Sequence, residues 1–73
     1  MKLVEGKTYI CSLYEKEFPV VYAGKFETCD YYCDHCNKKL IDGHEFIVGN
    51  IDNPKGVYHI GNTCVKKCIR LLK

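Results

Sequence analysis

Two short stretches decide how this chain is read: Cys33-Asp34-His35-Cys36-Asn37, and Gly61-Asn62-Thr63-Cys64-Val65-Lys66-Lys67-Cys68. The first holds a C-x2-C pair and the second a C-x3-C pair, with 27 residues between Cys36 and Cys64. A tetrahedral ion needs four thiolate or imidazole ligands converging on one point, and two close pairs joined by an intermediate spacer can supply them. A C-x2-C pair also suits thiol redox chemistry, but its usual βαβ scaffold is larger than 73 residues allow. The spacing therefore predicts a zinc site.

Length and composition explain why such a site is needed. A chain of this size has a marginal core, and domains below roughly 70–80 residues usually add disulfides or a metal. Six Cys among 73 residues supply the material for either staple. As disulfides they would allow 15 pairings, none readable from sequence. The starting Met, the lack of a signal-like apolar run in residues 1–7 and the uneven Cys distribution argue for reduced thiols and a cytoplasmic protein. No stretch approaches the ~20 apolar residues of a membrane-spanning helix.

Upstream of the knuckle the chain reads as β structure. Leu3-Val4, Tyr9 to Tyr14 and Val20 to Ala23 are rich in β-branched and aromatic residues, with turns expected at Gly6-Lys7, Glu15 to Pro19 and Gly24-Lys25. Alternation puts Tyr9, Cys11 and Leu13 on one face, so Cys11 is expected to be a small core residue. Asn37 follows the C-x2-C pair where a sharp turn demands positive φ, a conformation Asn tolerates better than other non-glycine residues.

Downstream, Phe46 to Val48 and Val57 to Ile60 form an expected hairpin around the turn-rich segment 50–56. From Asn62 to Lys73 a helix is expected, capped by Asn62 or Thr63. Cys64, Val65, Cys68, Ile69 and Leu72 fall on one apolar stripe, and Lys66, Lys67, Arg70 and Lys73 take the remaining positions. Repeats and linkers are absent, so residues 1–73 are expected to be one domain, β-rich over 1–27 and knuckle, hairpin and helix over 28–73.

The order knuckle, hairpin, then helix with Cys64 in its first turn resembles the treble-clef zinc fingers over residues 33–73. Cys33-x2-Cys36 together with Tyr58-His59-Ile60-Gly61-Asn62-Thr63-Cys64 also resembles small zinc-binding proteins often carried by bacteriophages. The expected class is α+β, a small zinc-stabilised domain with an antiparallel β segment, a treble-clef-like knuckle, a hairpin and a carboxy-terminal helix. Cys33, Cys36 and Cys64 are the expected Zn2+ ligands. For the fourth, Cys68 lies one helical turn beyond Cys64 and is preferred. His59 is the rival, and Cys29 a third choice. His35 and His44 are expected to be exposed or otherwise satisfied.

A thiolate-rich ion is electron-rich and usually closed, and neither H-E-x-x-H nor a deaminase signature is present, so the zinc is expected to be structural and the protein not an enzyme. Residues 1–37 carry four basic and six acidic side chains, and residues 38–73 carry seven and three. Four thiolates on one Zn2+ would add −2 and bring the formal +2 close to neutral, which disfavours broad phosphate attraction. Lys66, Lys67, Arg70 and Lys73, with Lys38 and Lys39, still offer a local basic patch. Tyr31-Tyr32 approach the knuckle through polar sequence and suit a protein contact or a stacked base. The expected function is a small regulatory module that binds another protein. A nucleic-acid-binding finger using the basic helix is the alternative. The phage resemblance implies a host protein as partner and the host cytoplasm as compartment.

Overall fold

Tyr9, Cys11 and Leu13 lie buried on one face of β1 (Thr8–Leu13), as their alternation requires, and this strand lies within the main sheet. The structure, a computed structural model, describes residues 2–27 and 30–72. β1 turns at Tyr14-Glu15 into β2 (Lys16–Phe26), pairing Leu13 with Lys16 and Thr8 with Val21. The expected turn at residues 15–19 is therefore shorter, and Phe18-Pro19 run within the strand. Leu3-Val4 stay outside the sheet, although Gly6 N–H donates to the Tyr22 carbonyl at 2.9 Å.

A two-residue pair, β3 (Tyr31–Tyr32) with β4 (Lys39–Leu40), flanks the knuckle, and the expected hairpin follows, β5 (Gly43–Asn50) with β6 (Asn53–Ile60). β2 also pairs with β5, and its register slips at Ala23, where Gly24 adopts φ +118°. At that φ an L side chain is strained, so this bulge takes glycine for its conformation.

The carboxy-terminal segment departs from expectation. Only Val65–Cys68 is helical (α1), and Ile69–Leu71 continues as β7. The α+β class is thereby corrected: the chain is mostly β, a five-stranded antiparallel sheet in the order β6-β5-β2-β1-β7 with one helical turn. The N-cap is Cys64, with no side-chain cap, rather than Asn62 or Thr63. Three physical terms explain the change. A helix of about twelve residues is marginal in isolation. Thr63, Val65 and Ile69 are β-branched. The outer edge of β1 also offers a ladder, and Tyr9 to Cys11 take Leu71 to Ile69 as partners. Most of the apolar stripe is still honoured, since Cys64, Val65, Cys68 and Ile69 are buried while Leu72 is half exposed.

Tyr9, Phe46 and Ile60 are fully buried at the centre of the core, with Val20, Tyr22, Cys11 and Cys68 around them. The Tyr22 and Phe46 rings lie 5.1 Å apart. Truncating Phe46 to Ala would cost about 3–5 kcal/mol, a large share of what so small a core supplies. Among the described residues no helix is long and apolar enough to cross a membrane.

Candidate metal centre

The knuckle is a tight backbone loop closed on itself. Cys33 N–H donates to the Lys38 carbonyl at 2.8 Å, and Asn37 N–H to the Cys33 carbonyl at 2.8 Å. Asn37 has φ 64°, the left-handed conformation its position demands. The loop is held on the outer edge of β6 by a reciprocal pair. Asp34 N–H donates to the His59 carbonyl at 2.9 Å, and His59 N–H donates to the Asp34 carboxylate at 2.8 Å.

This docking brings Cys33 and Cys36 against the start of the helical turn. The sulfur atoms of Cys33, Cys36 and Cys64 all lie within 4.8 Å of one another. A tetrahedral ion with metal–sulfur bonds of about 2.3 Å sets sulfur spacings of roughly 3.8 Å, so closure on an ion needs only side-chain adjustment. Three soft thiols at this spacing could hold a metal ion.

Cys33 is the buried member, 1% exposed, while Cys36 is on the surface. Gly61 N–H donates to the Cys33 sulfur at 3.4 Å. A Cβ on Gly61 would meet the Leu40 side chain at 3.0 Å and stand 4.0 Å from that sulfur, so Gly61 sits in close packing just beyond the end of β6. Burial pushes the Cys33 thiol up, but the backbone N–H groups of Gly61, Cys36 and His35 aimed at it prevail and bring it down to about 7. Cys64 goes the other way, to about 12, from burial and from its hydrogen bonds to Cys36 and Cys33 and their charge. Neighbouring thiolates thus oppose one another's ionisation. A divalent cation at their centre would remove that conflict.

The other sequence-based candidates sit elsewhere. Cys68 is buried in the core, hydrogen-bonded to Cys11, and that bond together with burial raises its thiol well above the ordinary range. His59 places Nε2 3.1 Å from Glu45 Oε1, and its ring stacks on Tyr31 at 3.6 Å with a 10° interplanar angle. Cys29 lies outside the described residues. His35 is exposed, and His44 is buried with Nδ1 2.7 Å from the Tyr22 hydroxyl. Cys11 is fully buried, as its place on the inward face of β1 requires.

Sequence reasoning missed the Asp34 clamp, the Tyr31–His59 stack and the Cys11–Cys68 pair. A short acid directly after a knuckle Cys was the only local signal for the first. The other two join residues 28 and 57 positions apart, and periodicity carries no such information.

The chain matches no protein-family model, no curated protein and no solved structure. The chemistry of the site therefore rests on its own geometry.

Proposed function

We propose that this chain is a small zinc-stapled interaction module, a regulatory protein that works by binding another protein rather than by catalysis. The observation that carries this reading is the convergence of Cys33, Cys36 and Cys64 at the junction of knuckle, β6 and α1. Zinc is the metal that best suits a thiolate-rich site in a reducing compartment, since it has no redox chemistry and accepts tetrahedral sulfur ligation. An ion bearing several thiolates is a poor Lewis acid, which favours a staple over an active centre.

Two features support a protein as partner. Tyr31 and Tyr32 are 36% and 57% exposed on β3, directly before the metal loop. Tyr31 is braced between the His59 ring and the edge of Phe26, at 5.2 Å, so little freedom remains to be lost on binding. A host-cell protein is the partner class that the likeness to small phage-carried zinc proteins implies.

The test combines metal content with binding. Protein purified under reducing conditions should carry about one zinc per chain. A partner retained by the native protein should be lost on Tyr32→Ala while the zinc stays. Tight, steeply salt-dependent binding to duplex or single-stranded nucleic acid would replace the protein-binding reading. Absence of zinc from a chain that stays folded would end the staple reading.

A further inference from the structure

We propose that a lysine-lined groove above the thiol triad receives an acidic segment of the partner protein, with one carboxylate reaching the open side of the bound metal. This rests on the metal-binding reading above and names the partner chemistry it leaves open.

The triad has a buried side and an accessible side. Cys33 lies beneath Gly61 and is closed off, whereas Cys36 and Cys64 line a groove of about 390 Å³. Lys38, Lys39 and Lys67 line the same groove, and Ile41, 78% exposed, adds an apolar contact. These cations come from two separate segments, the stretch just after the knuckle and the helical turn. Folding brings them into one groove lining with Cys36 and Cys64.

Tetrahedral zinc takes four ligands, and the described residues bring three thiols together. Cys68 is engaged with Cys11, and His59 is held by Glu45 and Tyr31. Among the described residues, the groove that Cys36 and Cys64 line is the open approach to a fourth position. Carboxylate oxygen is an ordinary zinc ligand and carries the charge that three lysines attract. Asp42, also lining the groove, has its carboxylate engaged by the Asn62 amide at 3.2 Å.

Charge selects an acidic peptide over a nucleic acid. Three thiolates with one divalent cation contribute −1, which lowers the formal net charge from +2 to +1. Lys38, Lys39 and Lys67 against Asp42 sum to +2 in the groove, +1 with the site's −1, a small confined positive lining rather than the broad basic surface that phosphate backbones require. The exposed Ile41 adds a contact that a peptide can use and a free anion cannot.

The experiment loads the full chain with Co2+, whose visible absorption reports its ligands, and titrates hexaglutamate and hexalysine peptides. Hexaglutamate should bind saturably and shift the cobalt bands, and hexalysine should do neither. A Lys38→Gln, Lys39→Gln, Lys67→Gln variant should bind cobalt as the native chain does but hexaglutamate about tenfold more weakly. Bound cobalt with bands unmoved by hexaglutamate overturns the groove while leaving the metal site standing. A change of the bands on Cys29→Ser alone overturns it equally, because the fourth ligand is then internal. A single-stranded oligonucleotide that outcompetes hexaglutamate transfers the groove to nucleic acid and also overturns the proposal. Failure to bind cobalt at all removes the metal reading itself.

Discussion

Asp34 and His59 hold each other by two hydrogen bonds, from the Asp34 N–H to the His59 carbonyl at 2.9 Å and from the His59 N–H to the Asp34 carboxylate at 2.8 Å. β6 is an outer strand of the five-stranded sheet, so these bonds satisfy edge groups that would otherwise face solvent. They also fix the knuckle in the one place where its sulfurs meet Cys64. A residue that binds no metal thereby sets the geometry of the site.

Asp34→Ala should accordingly lower zinc affinity by about 10- to 100-fold, the usual effect of removing a group that orients ligands. Asp34→Asn keeps an acceptor oxygen and should retain most of the affinity. Competition against a chromophoric chelator measures both. Equal affinity in the native and Ala proteins would show that the knuckle docks without this clamp.

Metal removal should separate the triad from the buried thiol pair. With zinc at ~1,000 times its dissociation constant the bound state gains about 4 kcal/mol. For a domain of this size that corresponds to roughly 15–30 °C in Tm, lost on adding chelator under reducing conditions. Cys33→Ser should abolish the shift. Cys68→Ala, in the core beside Cys11, should lower stability by about 1 kcal/mol but leave the chelator-sensitive shift intact. Calorimetric melts with and without chelator check both.

How much of this is legible in the sequence follows the range of each interaction. Cys11 on the inward face of β1, Asn37 at positive φ and the β5–β6 hairpin are consequences of neighbours a few residues away, and the sequence alone locates them. The long terminal helix fails because an apolar stripe at 64, 65, 68 and 69 fits one helical turn followed by a strand as well as it fits a longer helix. Pairing between Tyr9 and Leu71 selects the strand, and that contact spans nearly the whole chain. The two Cys pairs point to a metal, yet spacing does not distinguish Cys68 facing the triad from Cys68 facing Cys11. In the fold Cys68 hydrogen-bonds to Cys11 of β1 and lies outside the group of three close sulfurs, while still feeling the Cys33 charge.

The β1–β2 turn should be open to stabilisation. Tyr14 and Glu15 both sit at positive φ, 54° and 61°, in a two-residue hairpin whose favoured residues are Asn and Gly. Left-handed backbone at ordinary residues costs roughly 1 kcal/mol or more each. Tyr14→Asn with Glu15→Gly should therefore raise stability by about 1–2 kcal/mol, read from denaturant midpoints at unchanged slope. A lower midpoint would mean that the exposed Tyr14 ring contributes more than its backbone costs.

His44 should make the fold sensitive to mild acid. Burial pushes its imidazole below the ordinary value, helped by the Lys25 charge and opposed by Asn62 and Asp42. The ring is buried and hydrogen-bonded to Tyr22. A histidine with a lowered folded pKa binds fewer protons when folded than when unfolded, so its contribution is fully present above the unfolded value. It declines as pH falls through about 6.5 toward the folded value. Thiolate protonation also weakens metal binding in acid, so the comparison must be made between variants at each pH. His44→Gln preserves a polar partner for Tyr22 and removes the titration. The native protein should lose stability relative to His44→Gln between pH 7 and 5, while the difference stays constant above pH 7. A difference independent of pH throughout would show that His44 takes up its proton within the fold as readily as in the unfolded chain.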